Sequence, residues 1–137
     1  MSQLINISQA ASLAMHGLAV IAEEYPKRIS AKQLAKKLEA SEAHLAKIFQ
    51  RIAKSGLLKS FRGPAGGFIL NKEPEDITFL DVYEIMETRI ILNDCPLDRN
   101  NCVFNNCIFD GELNRISKDI YDTFKKLKLS NYMKGTK

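Results

Sequence analysis

Three things are scarce in this chain: long hydrophobic runs, cysteine, and any catalytic signature. Among its 137 residues, none of the apolar stretches reaches the roughly 18 uninterrupted positions that a membrane helix needs. The most apolar stretch, Ile7 to Ala22, is broken by Ser8, Gln9, Ser12 and His16. Met1-Ser2-Gln3 lacks the positive start of a signal peptide, so a cytoplasmic protein with no membrane partner is expected. The cysteines number three, all between Cys95 and Cys107. An odd count in a chain without a secretory signal argues against a disulfide framework and for a metal or redox role. There is no nucleophile-and-base constellation, no P-loop and no Cys-x-x-Cys pair, and Gly63-Pro64-Ala65-Gly66-Gly67 fits a hairpin better than a phosphate cradle. No enzymatic activity is therefore expected. With no repeat or low-complexity segment and 45% hydrophobic residues, the chain suits one compact domain plus an appendage.

What is present is concentrated between Ser30 and Leu70. Ser30-Ala31-Lys32-Gln33 has the form of a capping box, and Leu34, Ala35 and Leu38 give the helix behind it one buried side. Glu39-Ala40 makes a turn, after which Ser41 can cap a second helix whose core stripe is Leu45, Ile48, Phe49 and Ile52. Its outer face carries His44, Lys47, Arg51 and Lys54 at three- and four-residue spacing, and Gly56 stands where a left-handed residue would end it. Leu57 to Arg62 and Gly67 to Leu70 read as two short strands joined by Gly63-Pro64-Ala65-Gly66. Helix, turn, helix and hairpin together make a winged helix-turn-helix, a module that grips duplex DNA. The residues expected to meet DNA are Ser41, Ala43, His44, Lys47 and Arg51 on the second helix and Arg62 and Gly63 in the wing.

Charge follows the same division. From Ala31 to Arg62 eight basic residues stand against Glu39 and Glu42, a local net of +6 that exceeds the +4 of the whole chain. From Glu73 to Glu112 ten acidic residues face only Arg89 and Arg99. A basic head suits phosphate, and an acidic body stays off it. Solvation of helix faces by lysine is the alternative for any single residue.

The flanking segments are plainer. Leu4 to Glu24 reads as a first helix with Ile7, Ala11, Ala14, Leu18 and Ile21 inward, ended by Tyr25-Pro26, and His16 within it reads as a packed side chain rather than a ligand. Thr78 and Asp81 can cap a helix bearing Val82, Ile85 and Met86. Asn93 to Asn106 is polar enough to be a loop. A final helix beginning near Asp110 lines up Leu113, Ile116, Ile120, Phe124 and Leu127, a stripe too long for so small a core. An intersubunit seam is expected, with packing on the first helix as the alternative. Lys125, Lys126, Lys128 and the tail to Lys137 read as solvated or frayed. Cys95-x6-Cys102-x4-Cys107 supplies soft ligands for an iron-sulfur cluster or zinc, and only the second spacing suits zinc.

The run Leu57-Leu58-Lys59-Ser60-Phe61-Arg62-Gly63-Pro64-Ala65-Gly66-Gly67-Phe68 resembles the wing of the Rrf2 family of bacterial transcriptional regulators, and the resemblance extends over nearly the whole chain. It implies a mainly α fold with a small β-hairpin wing: a winged helix-turn-helix head, 1–76, continuous with a body, 77–137, of helix, cysteine loop and long C-terminal dimerisation helix. It further implies a homodimer on a palindromic double-stranded DNA operator, acting as a repressor that senses iron-sulfur status, redox or nitric oxide. The cluster, [2Fe-2S] or [4Fe-4S], would be held by Cys95, Cys102 and Cys107. Where cluster-binding members carry a histidine three residues after the third cysteine, this chain has Asp110, whose alternative role is to cap the last helix. Some members draw a ligand from the partner's first helix, where this chain has Ser8-Gln9 and no carboxylate. A regulator without a cluster, controlled by thiol redox or a protein partner, is the second reading, and an interaction module without operator binding the third.

Overall fold

The computed structural model describes residues 7–90, 92 and 102–133. Helix α1 (Gln9–Glu24) runs through the middle, followed by α2 (Ala31–Leu38), α3 (Glu42–Lys54), the antiparallel pair β1 (Leu58–Phe61) and β2 (Gly67–Leu70), α4 (Phe79–Met86) and α5 (Glu112–Lys126). Short 3-10 turns lie at Pro74–Asp76 and Leu129–Tyr132. The mainly α fold with a hairpin wing is thus as expected.

Local chemistry sets the boundaries. The Ser30 hydroxyl accepts the Gln33 amide at 3.1 Å while the Gln33 side chain accepts the Ser30 amide at 2.9 Å. The two satisfy donors that the first helical turn leaves free. Glu39, in the left-handed region at φ 52°, ends α2, and the Ser41 hydroxyl takes the His44 amide at 3.3 Å to start α3. The same box recurs at Thr78 and Asp81 to open α4. At Gly56, φ 94° turns the chain out of α3 into the wing, whose pairs run from Leu58↔Leu70 to Phe61↔Gly67.

The core is built on α1. Ala11, Ala14, Leu18 and Ile21 are fully buried against Leu34 of α2, Leu45, Phe49 and Ile52 of α3, and Ile77 and Val82. Each large aliphatic or aromatic side chain so enclosed contributes on the order of 1.5–3 kcal/mol over an exposed one. Gly17 lets α1 and α3 meet closely: a Cβ there would collide with the ring of Phe49. Phe49 in turn packs on Phe68 of β2, with centroids 5.7 Å apart, so α3 and the wing share one anchor.

Two expectations change, and so does the alternative offered for α5. Helix α1 begins at Gln9, because the Ser8 hydroxyl caps it by accepting the Ala11 amide at 3.0 Å and the Ser8 amide donates to Glu87 Oε1 at 3.2 Å. The expected start at Leu4 lies outside the described residues, and Ile7 precedes the helix, 38% exposed, rather than joining its buried stripe. The described part of the tail, 127–133, is not frayed, while 134–137 lie outside the described residues. Phe79 N–H donates to Leu127 O at 2.7 Å, Leu129 N–H donates to Ile77 O at 2.8 Å, and the Leu129 side chain is fully buried. The side chains of Lys125, Lys126 and Lys128 are exposed as expected. Finally, α5 packs chiefly on α4 rather than on α1: Phe124 is buried edge-on to Phe79 at 4.7 Å, beside Tyr83 at 5.4 Å.

Candidate nucleic-acid interface and cysteine loop

Helix α3 holds its apolar side down with Leu45, Ile48, Phe49 and Ile52, which leaves Ser41, Ala43, His44, Lys47, Arg51 and Lys54 exposed above it. The capped N-terminus adds its amides and the positive end of the helix dipole to this face, both suited to anions. Gln50, also exposed, lies three residues from Lys47 and four from Lys54. Reading the sequence for charge passes over it, yet a glutamine amide pairs well with an adenine edge. Its place between buried Phe49 and exposed Arg51 was the available signal.

The wing follows α3 within three residues. Its turn is closed by Gly66 N–H donating to Gly63 O at 2.8 Å, with Pro64 at the position where its fixed φ suits a turn. Arg62 and Gly63 are exposed at this tip, Gly63 at φ 90°. The base is tied by Asn71, whose amide nitrogen donates to Gly56 O at 2.9 Å. Along its other edge the wing takes a third strand-like partner, Ile29, paired with Phe68 through hydrogen bonds of 3.2 and 2.8 Å.

Among the described residues, His44, Lys47, Arg51, Lys54 and Arg62 are in no ion pair. Their charge remains available to a polyanion. Lys37, also in the basic stretch, differs in being paired with Glu24 at 3.2 Å.

The cysteine loop is only partly described. Cys95 lies outside the described residues; Cys102 and Cys107 are exposed free thiols. The Asp110 amide donates to Cys107 O at 2.9 Å, and Asp110 sits in the left-handed region at φ 53°. One turn therefore carries both Cys107 and Asp110. The capping alternative for Asp110 does not hold: the residue at the cap position is Gly111, and no side chain caps α5. Among the described residues no three His, Cys, Asp or Glu side chains are grouped closely enough to hold a metal ion. The donor types themselves, two accessible thiols and a carboxylate with no capping duty, fit iron of an iron-sulfur cluster. His16 is exposed, its Nδ1 against Ser12 O at 2.7 Å, and joins none of these groups.

Exposed apolar residues flank Cys102 and Cys107 in the sequence: Val103 is 90% exposed and Ile108 69%, with Phe104 and Phe109 also open. They continue into Leu113 and Ile116 on α5, whereas Ile120 is half-buried and Phe124 buried.

Residues 7–135 match the family model described as Rrf2, iron-dependent transcriptional regulator. A putative HTH-type transcriptional regulator of Aquifex aeolicus is 30% identical over 121 residues, covering 86% of this chain and 84% of that protein. The HTH-type transcriptional regulator NsrR of Bacillus subtilis is 32% identical over 90 residues, 64% of this chain and 62% of its own length. In fold, the chain superposes on CymR, the global cysteine regulator of B. subtilis, with a TM-score of 0.77 at 23% identity over 93% of this chain and 95% of that one. No helix among the described residues is long and apolar enough to cross a membrane. These relatives are regulators rather than enzymes, and the chain belongs to the Rrf2 family of DNA-binding transcriptional regulators.

Proposed function

We propose that the protein is a cytoplasmic, homodimeric repressor that reads a palindromic operator with two winged heads, 1–76, and adjusts that reading through the cysteine loop of its body, 77–137. The observation that carries the reading is the exposed, unpaired basic face of α3 beside Arg62 at the wing tip. Helix α3 enters the major groove, where Ala43, His44 and Gln50 meet base edges while Ser41, Lys47 and Arg51 meet phosphates. Arg62, with Gly63 allowing close approach, reaches the adjacent minor groove. The partner covers Leu113 and Ile116, apolar residues that α5 leaves open in a single chain.

Sensing is assigned to an iron-sulfur cluster held by Cys95, Cys102 and Cys107, with Asp110 as fourth ligand. The family description as iron-dependent supports this, as do the accessible thiols and the turn joining Cys107 to Asp110. When bound, such a cluster supplies a centre that reacts with oxygen or nitric oxide, and the hard carboxylate is its most labile protein bond. Anaerobic absorbance and iron content test the assignment. Each cysteine-to-alanine change abolishes the visible band, and Asp110→Ala permits partial assembly with faster bleaching in air. Bound zinc, or no metal in anaerobically purified protein, would end the cluster reading.

The likeness to CymR favours a second reading, in which exposed Cys102 and Cys107 act as thiols without a cluster. In that case DNA affinity responds to oxidant in metal-free protein and loses the response in Cys102→Ala or Cys107→Ala.

A further inference from the structure

Arg28 stands outside every motif of the sequence, in the segment between α1 and α2. Its guanidinium carbon lies 3.5 Å from the ring centroid of Phe61, the last residue of β1, and its Nη1 donates to Ala65 O at the wing tip, 3.2 Å away. The next residue, Ile29, is the one paired with Phe68 of β2. One short segment thus holds β2 by backbone hydrogen bonds, and holds the end of β1 and the turn by a single side chain. Arg28 is exposed, while Phe61 beneath it is half-buried.

We infer that Arg28 is a positioning residue for DNA recognition: it braces the wing in the pose from which Arg62 meets the groove. A two-stranded hairpin is only marginally stable by itself, and the tip of this one lies beyond its strand pairs. A planar guanidinium fits the role, since it stacks on a ring face and donates at its edge in one geometry. Lysine keeps the charge but loses the planar stack. The inference rests on the proposal that the wing touches DNA, and its test includes an arm without DNA.

In free full-length protein, Arg28→Leu, Arg28→Lys and Phe61→Leu each raise amide hydrogen exchange at Gly66 and its wing neighbours by about three- to tenfold, with the amides of α1 and α3 unchanged. On a selected operator duplex, Arg28→Lys weakens binding as much as Arg28→Leu. In the Arg62→Ala background Arg28→Leu adds less than about a twofold loss, because the contact it positions is already absent. Unchanged wing exchange overturns the inference, as does full DNA affinity in Arg28→Lys, which would make Arg28 an ordinary phosphate contact. Losses that add independently for Arg28 and Arg62 also overturn it. If Arg62→Ala binds like the native protein, the groove reading of the wing fails while the exchange measurement still decides the brace.

Discussion

The head and the body of this molecule solve opposite problems. In the head every element finds its partner within the chain: α3 is seated by Leu45, Phe49 and Ile52, and the wing is tied by Ile29, Asn71, Arg28 and the Phe49–Phe68 contact. Ile7 and Tyr25 apart, the large side chains it leaves exposed are polar, with a basic set on α3 and at the wing tip. In the body, Phe124 and Leu129 are buried but Val103, Ile108, Leu113 and Ile116 are open. Exposed charge beside a finished core marks a surface made for a polyanion, whereas exposed apolar side chains in series mark one made for protein. The difference supports the proposal that DNA meets one end and a second subunit the other.

The comparison breaks most visibly with salt. Two heads making roughly 6 to 10 phosphate contacts lose on the order of 10³ to 10⁵ in affinity between 50 and 200 mM salt, and Lys47→Ala or Arg51→Ala each lowers the log-log slope by about 1. Fluorescence titrations across that range check both figures. Next in size is the core on which the head rests. Phe49→Ala removes the ring shared by α1 and the wing and costs about 3–5 kcal/mol in denaturant unfolding. Gly17→Ala, which drives a methyl into that ring, costs about 1–3 kcal/mol. A smaller effect separates the cap from the binding face: Ser41→Ala costs roughly 1 kcal/mol of stability through the lost His44 amide bond. His44→Ala leaves stability within about 0.5 kcal/mol and instead changes base preference in a duplex selection.

The head was readable because its signals are local. A capping box spans four residues, Gly56 and Glu39 mark their own turns, and the stripe on α3 repeats at helical spacing. The parts that escaped depend on pairs distant in sequence. Ser8 starts α1 partly through Glu87, 79 residues away. Arg28 finds Ala65, 37 residues on, and Leu129 is buried because its backbone pairs with Ile77. Asp110 looked like a cap from its place before Gly111-Glu112-Leu113, but a left-handed backbone at both 110 and 111 denies it that geometry. The amphipathic stripe of α5 was legible as a stripe; its division into a buried end at Phe124 and an open end at Ile116 depends on where α4 lies.

The account's central claim is that two finished heads are joined through an unfinished body, and binding to whole and half operators tests it most directly. Ile116 is 44% exposed, so Ile116→Asp spares the fold of one chain while placing a charge in the proposed seam, which usually costs several kcal/mol when unpaired. For native protein, titrations are expected to show far tighter binding to a palindrome with half-sites one helical turn apart than to a single half-site. Ile116→Asp should be monomeric by light scattering and bind both duplexes equally and weakly. Native protein that does not distinguish the two duplexes, or an Ile116→Asp protein that remains dimeric with full operator affinity, would contradict the account.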